Sequence, residues 1–252
     1  AALTTAYGNT AVGHKTLTEH VDGNNNTAIG YQAMDETGSA ANSAQNTAIG
    51  ANSMGGDWAN TSEQNTAVGS GTMAGVMNNA YRNTSVGYQA MAALTSGDDN
   101  TAVGKDALLA VTTGGNNTVL GSLAGDALTA GDSNTLIGKS AFGAAGADEQ
   151  SNVIIGANCA NVFDEGTNGT IDHNIAIGAD AFTGADLGTA SVAVQRNIAI
   201  GSNALNSTAG NAQEGTIAIG YDALTALTTG AGNLAIGYGA LKENVDGARN
   251  IA

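Results

Sequence analysis

Asn26-Thr27-Ala28-Ile29-Gly30 is the stretch that decides the fold, because the chain repeats it, with small changes, thirteen times. The phrase first occurs at Asn9–Gly13 and is still recognisable at Asn233–Gly237, and its closing glycine returns every 17 to 23 residues. A short apolar segment cannot bury its own hydrophobic face, but a stack of such segments can. The repeat therefore predicts an all-β parallel β-solenoid of about 13 rungs, formed by residues 1–252 as a single array.

The phrase alternates with period two, which predicts a β-strand. We number its positions from the closing glycine, position 0. Position −4 is asparagine in nearly every repeat, −3 is threonine in the first eight, −2 is usually alanine and −1 is always Val, Ile or Leu. Positions −3 and −1 share one face of the strand, and we expect that face to fill the core. The alanine column then faces either a neighbouring chain or the inside of a narrow coil.

Position −3 changes from threonine to Val, Ile or Leu at Val153. This change divides the array into Thr-rich rungs at 1–152 and Ile-rich rungs at 153–252, where longer inserts also occur. It predicts a drier core in the second half. After the glycine the pattern reads x-x-Ala-Leu, and the residue at +4 is a larger apolar one in most repeats. We interpret this segment as a second short strand or extended turn whose +4 side chain adds to the core.

The asparagine column at −4 and the glycine column at 0 are expected to have structural roles. Asparagines stacked about 4.8 Å apart can hydrogen-bond one another along the array, and the column includes Asn26, Asn46, Asn65, Asn83, Asn100, Asn117 and Asn134. The closing glycine is expected to take a positive φ at a corner where a Cβ would clash, and this column includes Gly30, Gly50, Gly69, Gly87, Gly104, Gly121 and Gly138.

Composition excludes several classes of function. The net charge of −15, with only seven Lys and Arg, argues against a nucleic-acid partner, since phosphate binding needs clustered basic residues. No apolar run is long enough to span a membrane and no signal peptide is visible. The chain starts and stops in mid-phrase, which suggests a segment of a longer array. The single cysteine, Cys159, excludes an internal disulfide and occupies a small-residue position that we expect to be buried.

The phrase Asn-Thr-Ala-Ile-Gly-Tyr-Gln-Ala-Met at 26–34, which returns as Asn-Thr-Ser-Val-Gly-Tyr-Gln-Ala-Met at 83–91, resembles two related repeats. One is the head repeat of trimeric autotransporter adhesins, and the other is the array of bacteriophage tail fibres and related virion proteins. The resemblance implies a left-handed parallel β-roll with three chains side by side in a homotrimer. The longer, irregular repeat of this chain is more similar to the phage-fibre group or to another extracellular filament.

The candidate surface contacts are aromatic. Tyr31, Tyr88, Tyr221 and Tyr238 share position +1, where they either stack against sugars or cover the rung edge and contact a neighbouring chain. Trp58 lies alone in an insert, where it either contacts a carbohydrate or packs the insert onto the solenoid.

No catalytic or metal-binding constellation is visible, so we expect no enzyme activity and no cofactor. His14, His20 and His173 are scattered in polar connections. Calcium is the alternative, because Asp98-Asp99-Asn100 and the segment Asp126–Asp132 are rich in oxygen ligands, but neither matches a known calcium loop.

These observations favour a structural and adhesion protein: an extracellular or virion-associated fibre that binds a host or surface glycan or protein receptor. Two alternatives stay open. A solenoid polysaccharide depolymerase would need paired carboxylates, for which loop acids such as Asp164 and Glu165 are candidates. An ice-binding solenoid would need a flat, exposed threonine array, whereas we expect the threonine column from Thr10 to Thr135 to face inward.

Overall fold

The computed structural model describes residues 6–18, 22–35, 43–143, 148–161, 170–184, 193–206 and 213–252. These residues form two compact units, Ala1–Ser122 and Leu123–Ala252. The expected all-β parallel β-solenoid is confirmed. The boundary between the units differs from the change at Val153, which is a change of composition in one column. No described residue belongs to a helix that could cross a membrane.

Each repeat of the phrase contributes one three-residue strand, at positions −3 to −1. In the first unit these strands are β1 (Thr10–Val12), β2 (Thr27–Ile29), β3 (Thr47–Ile49), β4 (Thr66–Val68), β5 (Thr84–Val86), β6 (Thr101–Val103) and β7 (Thr118–Leu120). In the second unit they are β8 (Thr135–Ile137), β9 (Val153–Ile155), β11 (Ile175–Ile177), β13 (Ile198–Ile200), β15 (Ile217–Ile219) and β16 (Leu234–Ile236).

Neighbouring strands within a unit pair in parallel and in register. Thr47 lies opposite Thr66 and Ile49 opposite Val68, for example, and Ile198 lies opposite Ile217 in the second unit. Equivalent positions of the repeat therefore stack directly on one another, and each column of the sequence becomes a column on the molecule.

The prediction that positions −3 and −1 fill the core is wrong. Position −2 is fully buried, as at Ala48 and Ala67, while the residues on either side are half-buried or exposed. Ile49 keeps 37% of its surface exposed although it is the larger and more apolar residue. The alanine column therefore lies inside the coil. The change from threonine to isoleucine at −3 alters the outer face, so the drier core expected in the second half is also wrong.

The narrow cross-section of the coil explains this inversion. The interior already holds the side chain at position +4, which is fully buried at Met54, Met73 and Phe182. Little space is left for the strand residue facing it, and alanine fits. In one turn position −2 is the large Ile154 and position +4 is the small Ala160, whereas in another Leu136 and Phe142 are both large; all four side chains are fully buried. The apolar side chain predicted to enter the core at +4 is therefore present in the structure.

The segment after the glycine is a turn, not the second strand or extended turn that the sequence suggested. Positions +2 and +4 both take left-handed backbone conformations, with φ of 51° at Gln89 and 49° at Met91. Such conformations cost non-glycine residues on the order of 1 kcal/mol each. Burial of the +4 side chain offsets this cost, since a fully buried Met or Leu contributes about 1.5–3 kcal/mol.

A second, short parallel sheet precedes the asparagine in the second unit. It consists of β10 (Thr170–Asp172), β12 (Ala193–Gln195) and β14 (Gln213–Glu214). Ile171 and Val194 of this sheet are buried. They add apolar surface to the core beside the asparagine column, whose Asn152 and Asn174 amides donate to the carbonyls of Ile171 and Val194.

Candidate functional site

The asparagine column forms a hydrogen-bonded ladder that is continuous in the first unit, from Asn9 to Asn117, and has one interruption in the second unit. Asn83 shows the pattern: its backbone N–H and its side-chain Nδ2 both donate to Asn65 Oδ1, at 2.9 and 3.1 Å. The same Nδ2 also donates to the carbonyl of Gly97, at 2.7 Å. A carboxamide has two donors and an oxygen with two lone pairs, so this arrangement uses all of them. The fully buried amide is therefore satisfied on both sides.

The ladder is interrupted at Thr216, which occupies the asparagine position. Its backbone N–H still donates to Asn197 Oδ1, at 3.0 Å. Its hydroxyl is buried and has no hydrogen-bond partner among the described residues. Threonine has no side-chain amide that could donate to Asn197 Oδ1 and to a backbone carbonyl. The side-chain hydrogen bonds of the ladder are therefore missing at this turn.

The closing glycines stack in contact through their backbones. Gly50 has φ +137°, and an ideal Cβ on it would lie 2.3 Å from the carbonyl oxygen of Gly69. Gly87 stands in the same relation to Gly104. Only a residue without a side chain permits this approach. The glycine column is therefore required for stacking as well as for its positive φ.

The outer face of the strands is an uncharged surface made of two columns. Position −1 leaves large apolar side chains half-buried or partly exposed, at 37% for Ile49 and Val86, and the exposure rises to 57% at Val12 and Ile236 in the first and last strands. Position −3 is threonine in the first unit and at Thr135 of the second, and it is Val, Ile or Leu from Val153 onward. With rungs about 4.8 Å apart, the seven strands of the first unit make a face about 29 Å long. We call these two columns the strand face.

The tyrosines at +1 are exposed, and two pairs of neighbouring rings stack along the array. Tyr221 and Tyr238 have ring centroids 5.5 Å apart and nearly parallel planes. Tyr31 stacks on His14 in the same way, at 5.6 Å, and Tyr88 is half exposed. These rings cover one another along an edge of the solenoid and leave their outer surfaces accessible.

Trp58 is not a surface contact. It is the largest fully buried side chain of the described residues, with 1% of its surface exposed. Its Nε1–H has no hydrogen-bond partner there. The insert packs its indole into the interior, as the alternative interpretation allowed, and the apolar area buried outweighs the unmade hydrogen bond.

Charged side chains pair between neighbouring turns. Arg82 holds Asp99 with two hydrogen bonds of 2.7 and 2.8 Å, which lowers the pKa of that exposed carboxyl group. Lys242 donates to Asp222 at 2.7 Å. That bond, followed by one from Asn203, lowers the pKa of the Asp222 carboxyl. These pairs join neighbouring turns, and solvent screening keeps their contribution to stability small.

A polar groove of about 580 Å³ runs along the second unit on the side that follows the glycine corner. It is lined by positions +2 and +5 of three successive turns, namely Asn158, Asn161, Asp180, Thr183, Asn203 and Asn206. The sequence interpretation overlooked this site. Its signal is a pair of polar residues three apart that recurs after Gly156, Gly178 and Gly201.

The described residues contain no group of three or more His, Cys, Asp and Glu side chains that could hold a metal. Asp98 instead accepts a hydrogen bond from the backbone of Tyr81, and Asp99 pairs with Arg82. Cys159 is buried, and burial raises the pKa of its thiol to about 12. His20 and the loop acids Asp164 and Glu165 lie outside the described residues.

Comparison with protein-family models and with curated proteins gives no match for this chain.

Proposed function

We propose that this chain is a structural fibre and adhesion protein, extracellular or virion-associated, whose solenoids associate side by side as a homotrimer. The observation that carries the proposal is the strand face. A folded chain that turns its alanines inward and its isoleucines outward has not buried its most apolar columns. Exposed contiguous apolar surfaces of this kind mark association sites.

Charge favours a second copy of this chain as the partner on this face. The chain carries a net charge of −15, yet positions −3 and −1 contain only Thr, Val, Ile and Leu. Copies that meet through this face bring no like charges together, whereas contact through other surfaces of an acidic chain would. The resemblance to adhesin heads and phage fibres supports three copies around one axis.

Attachment is the second part of the proposal. Once the strand faces are covered, the exposed tyrosines and the polar connections form the outer surface of the fibre. Exposed tyrosines offer a large apolar ring with a polar end, which suits contact with a glycan or protein receptor. The assembly thus provides a scaffold that presents these residues repeatedly along its length.

Light scattering coupled to gel filtration tests the association. We expect Ile49→Lys, alone or combined with Val86→Lys, to reduce the mass from an oligomer to a single chain while the circular dichroism of the β-solenoid is retained. Ser70→Lys is the matched control, because Lys105 and Lys139 already occupy the same +1 column. A wild-type chain that is monomeric at all concentrations would contradict the association.

Ice binding is the second candidate, and one observation favours it. The threonine column was expected to face inward, but Thr101 and Thr118 are exposed and their neighbours half-buried on the strand face. Regularly spaced hydroxyl and methyl groups on a flat surface could order water. Thermal hysteresis that is lost in Thr66→Lys, together with a monomeric wild type, would favour this function over the fibre.

A further inference from the structure

The polar groove is built from three consecutive turns that are held in register by their backbones. The N–H of Asp180 donates to the carbonyl of Ala157, at 3.1 Å, and the N–H of Asn203 donates to the carbonyl of Ala179, at 3.2 Å. Positions +2 and +5 of each turn therefore recur along the groove about 4.8 Å apart. The groove presents the same pair of polar side chains, with small changes, three times.

Three side chains of the groove, those of Thr183, Asn203 and Asn206, are oriented by hydrogen bonds. Asn206 Nδ2 donates to Asn203 Oδ1, at 3.3 Å, and Asn203 Nδ2 donates to Asp222 Oδ1, at 3.1 Å. Thr183 Oγ1 also bonds to Asn206. Each of these contacts uses only part of the capacity of an amide, so Asn203 keeps a further N–H and a further lone pair. A ligand would meet groups whose conformations are already restricted, which lowers the entropy cost of binding.

The chemistry of the lining selects a neutral, hydroxyl-rich ligand. Four carboxamides and a hydroxyl both donate and accept hydrogen bonds, as the hydroxyl groups of a sugar do. The lining contains one carboxylate, Asp180, and no basic side chain, so an anionic ligand would be repelled by it and by the acidic chain as a whole. The volume is within the range of pockets for small organic ligands and far exceeds that of an ion site.

The flanking column leaves room for an extended ligand. Position +1 of the three turns is occupied by Ala157, Ala179 and Ser202, which are small, whereas the next two turns carry the stacked Tyr221 and Tyr238. Asp222, which follows Tyr221, is bonded to Asn203. The groove is thus followed by an aromatic surface of the type that stacks on sugar rings.

We propose that this groove binds a linear neutral saccharide laid along the solenoid, about one sugar unit per turn. This inference rests on the proposed attachment function and deepens it by naming the ligand class and the residues that contact it. The repeating spacing of the turns matches a repeating ligand, and the groove side chains supply the hydrogen bonds that fix its orientation.

Isothermal titration of the full chain tests this inference with defined probes: neutral hexasaccharides of β-1,4-linked glucose, α-1,4-linked glucose and β-1,4-linked mannose, an oligogalacturonate of equal length, and calcium chloride alone. We expect at least one neutral hexasaccharide to bind and the galacturonate to bind more weakly. Asn158→Gly with Asn203→Gly should weaken binding at least tenfold, and Thr183→Leu, which fills the groove, should do the same.

The glycine substitutions suit the left-handed backbone of position +2, since Gly71 and Gly239 already occupy it with φ of 66° and 61°. Asn52→Gly is the matched control at +2 in the first unit, and Ala92→Leu is the control at +5. Both should bind as the wild type does. Binding by none of the neutral probes, binding of calcium alone, or saccharide binding that the groove variants leave unchanged would overturn the inference.

The mass of each variant, measured in parallel by light scattering, separates this inference from the fibre proposal. An oligomer that binds none of the neutral saccharides overturns the groove assignment and leaves the fibre intact. A monomer whose saccharide binding depends on Asn158 and Asn203 contradicts the oligomer and supports the groove.

Discussion

Asn65 Oδ1 accepts two hydrogen bonds from a single residue, Asn83, one from its backbone N–H and one from its side-chain amide. The same relation recurs between Asn46 and Asn65, and between Asn83 and Asn100. Each asparagine thus connects its turn to the turn before it through both backbone and side chain. The column is a buried hydrogen-bonded ladder that holds successive turns together in a coil whose apolar interior is small.

Asn83→Asp is expected to destabilise the first unit strongly. Aspartate keeps the shape of asparagine but has no N–H, so Asn65 Oδ1 and the Gly97 carbonyl each lose a donor, and a charge is buried. Removing partners in this way costs about 3–5 kcal/mol. Thermal unfolding followed by circular dichroism measures the loss.

Asn52→Asp is the control for that substitution. Asn52 is exposed at position +2, where Asp106, Asp180 and Asp222 stand in other turns. Its unfolding midpoint should remain close to that of the wild type. If Asn83→Asp and Asn52→Asp lower the unfolding midpoint equally, the buried asparagine ladder does not stabilise the fold more than an exposed asparagine does.

Thr216→Asn should stabilise the second unit. The new amide would complete the interrupted ladder by donating to Asn197 Oδ1, and it would remove a buried hydroxyl that has no partner among the described residues. The gain expected for a restored hydrogen bond is about 1 kcal/mol. Denaturant unfolding measures it.

Thr216→Val separates the two contributions, since valine removes the hydroxyl without adding an amide. We expect the order of stability to be Asn above Val, and Val equal to or slightly above Thr. A less stable Asn variant would contradict the interpretation of this position as a gap in the ladder.

Gly87→Ala and Gly237→Ala compare steric contact with backbone strain. Both glycines have similar angles, φ +140° and +135°. An ideal Cβ at Gly87 would lie 2.3 Å from Gly104 O, whereas nothing lies within 4 Å of one at Gly237. Gly237→Ala should cost only the strain of about 1–3 kcal/mol, and Gly87→Ala should cost distinctly more because two turns must separate. If thermal unfolding shows similar losses of stability in the two variants, the close approach of Gly87 to Gly104 does not add to the cost of a side chain.

Cys159 should be unreactive in the folded protein. Its thiol is buried and its pKa is raised to about 12, so almost no thiolate exists at pH 8, and the thiolate is the reactive form. We expect iodoacetamide to modify it slowly in buffer and rapidly in denaturant. Fast modification of the folded chain would show that the interior of this turn is open.

The sequence predicted the stacking, because a phrase that returns thirteen times with asparagine and glycine at fixed positions permits few other folds. It misassigned the two faces of the strand. Hydrophobicity alone places Ile49 inside and Ala48 outside, but the interior of a narrow coil is limited by volume, and the volume is already occupied by Met54. Trp58 was named as a candidate surface contact with packing of the insert as its alternative, and its burial supports the alternative.

The groove was missed for a different reason. Asn158, Asp180 and Asn203 are ordinary turn residues when each is considered alone. Their significance comes from the register of three turns separated by inserts of unequal length, which the backbone bonds of Asp180 and Asn203 establish. Alignment of the repeats by their glycines would have revealed the recurring polar pair.

The orientation of the strand is the central claim, because the fibre proposal depends on the apolar column that it turns outward. Thermal unfolding of Ala67→Leu and Val68→Leu tests it most directly, since the two substitutions are one residue apart on the same strand. Ala67 is fully buried beside a turn whose +4 residue is Met73, so leucine there should overpack the coil and cost about 1–3 kcal/mol or more. Val68→Leu should unfold as the wild type does, as Leu120 stands in the same column. A tolerated Ala67→Leu with a destabilised Val68→Leu would contradict the account.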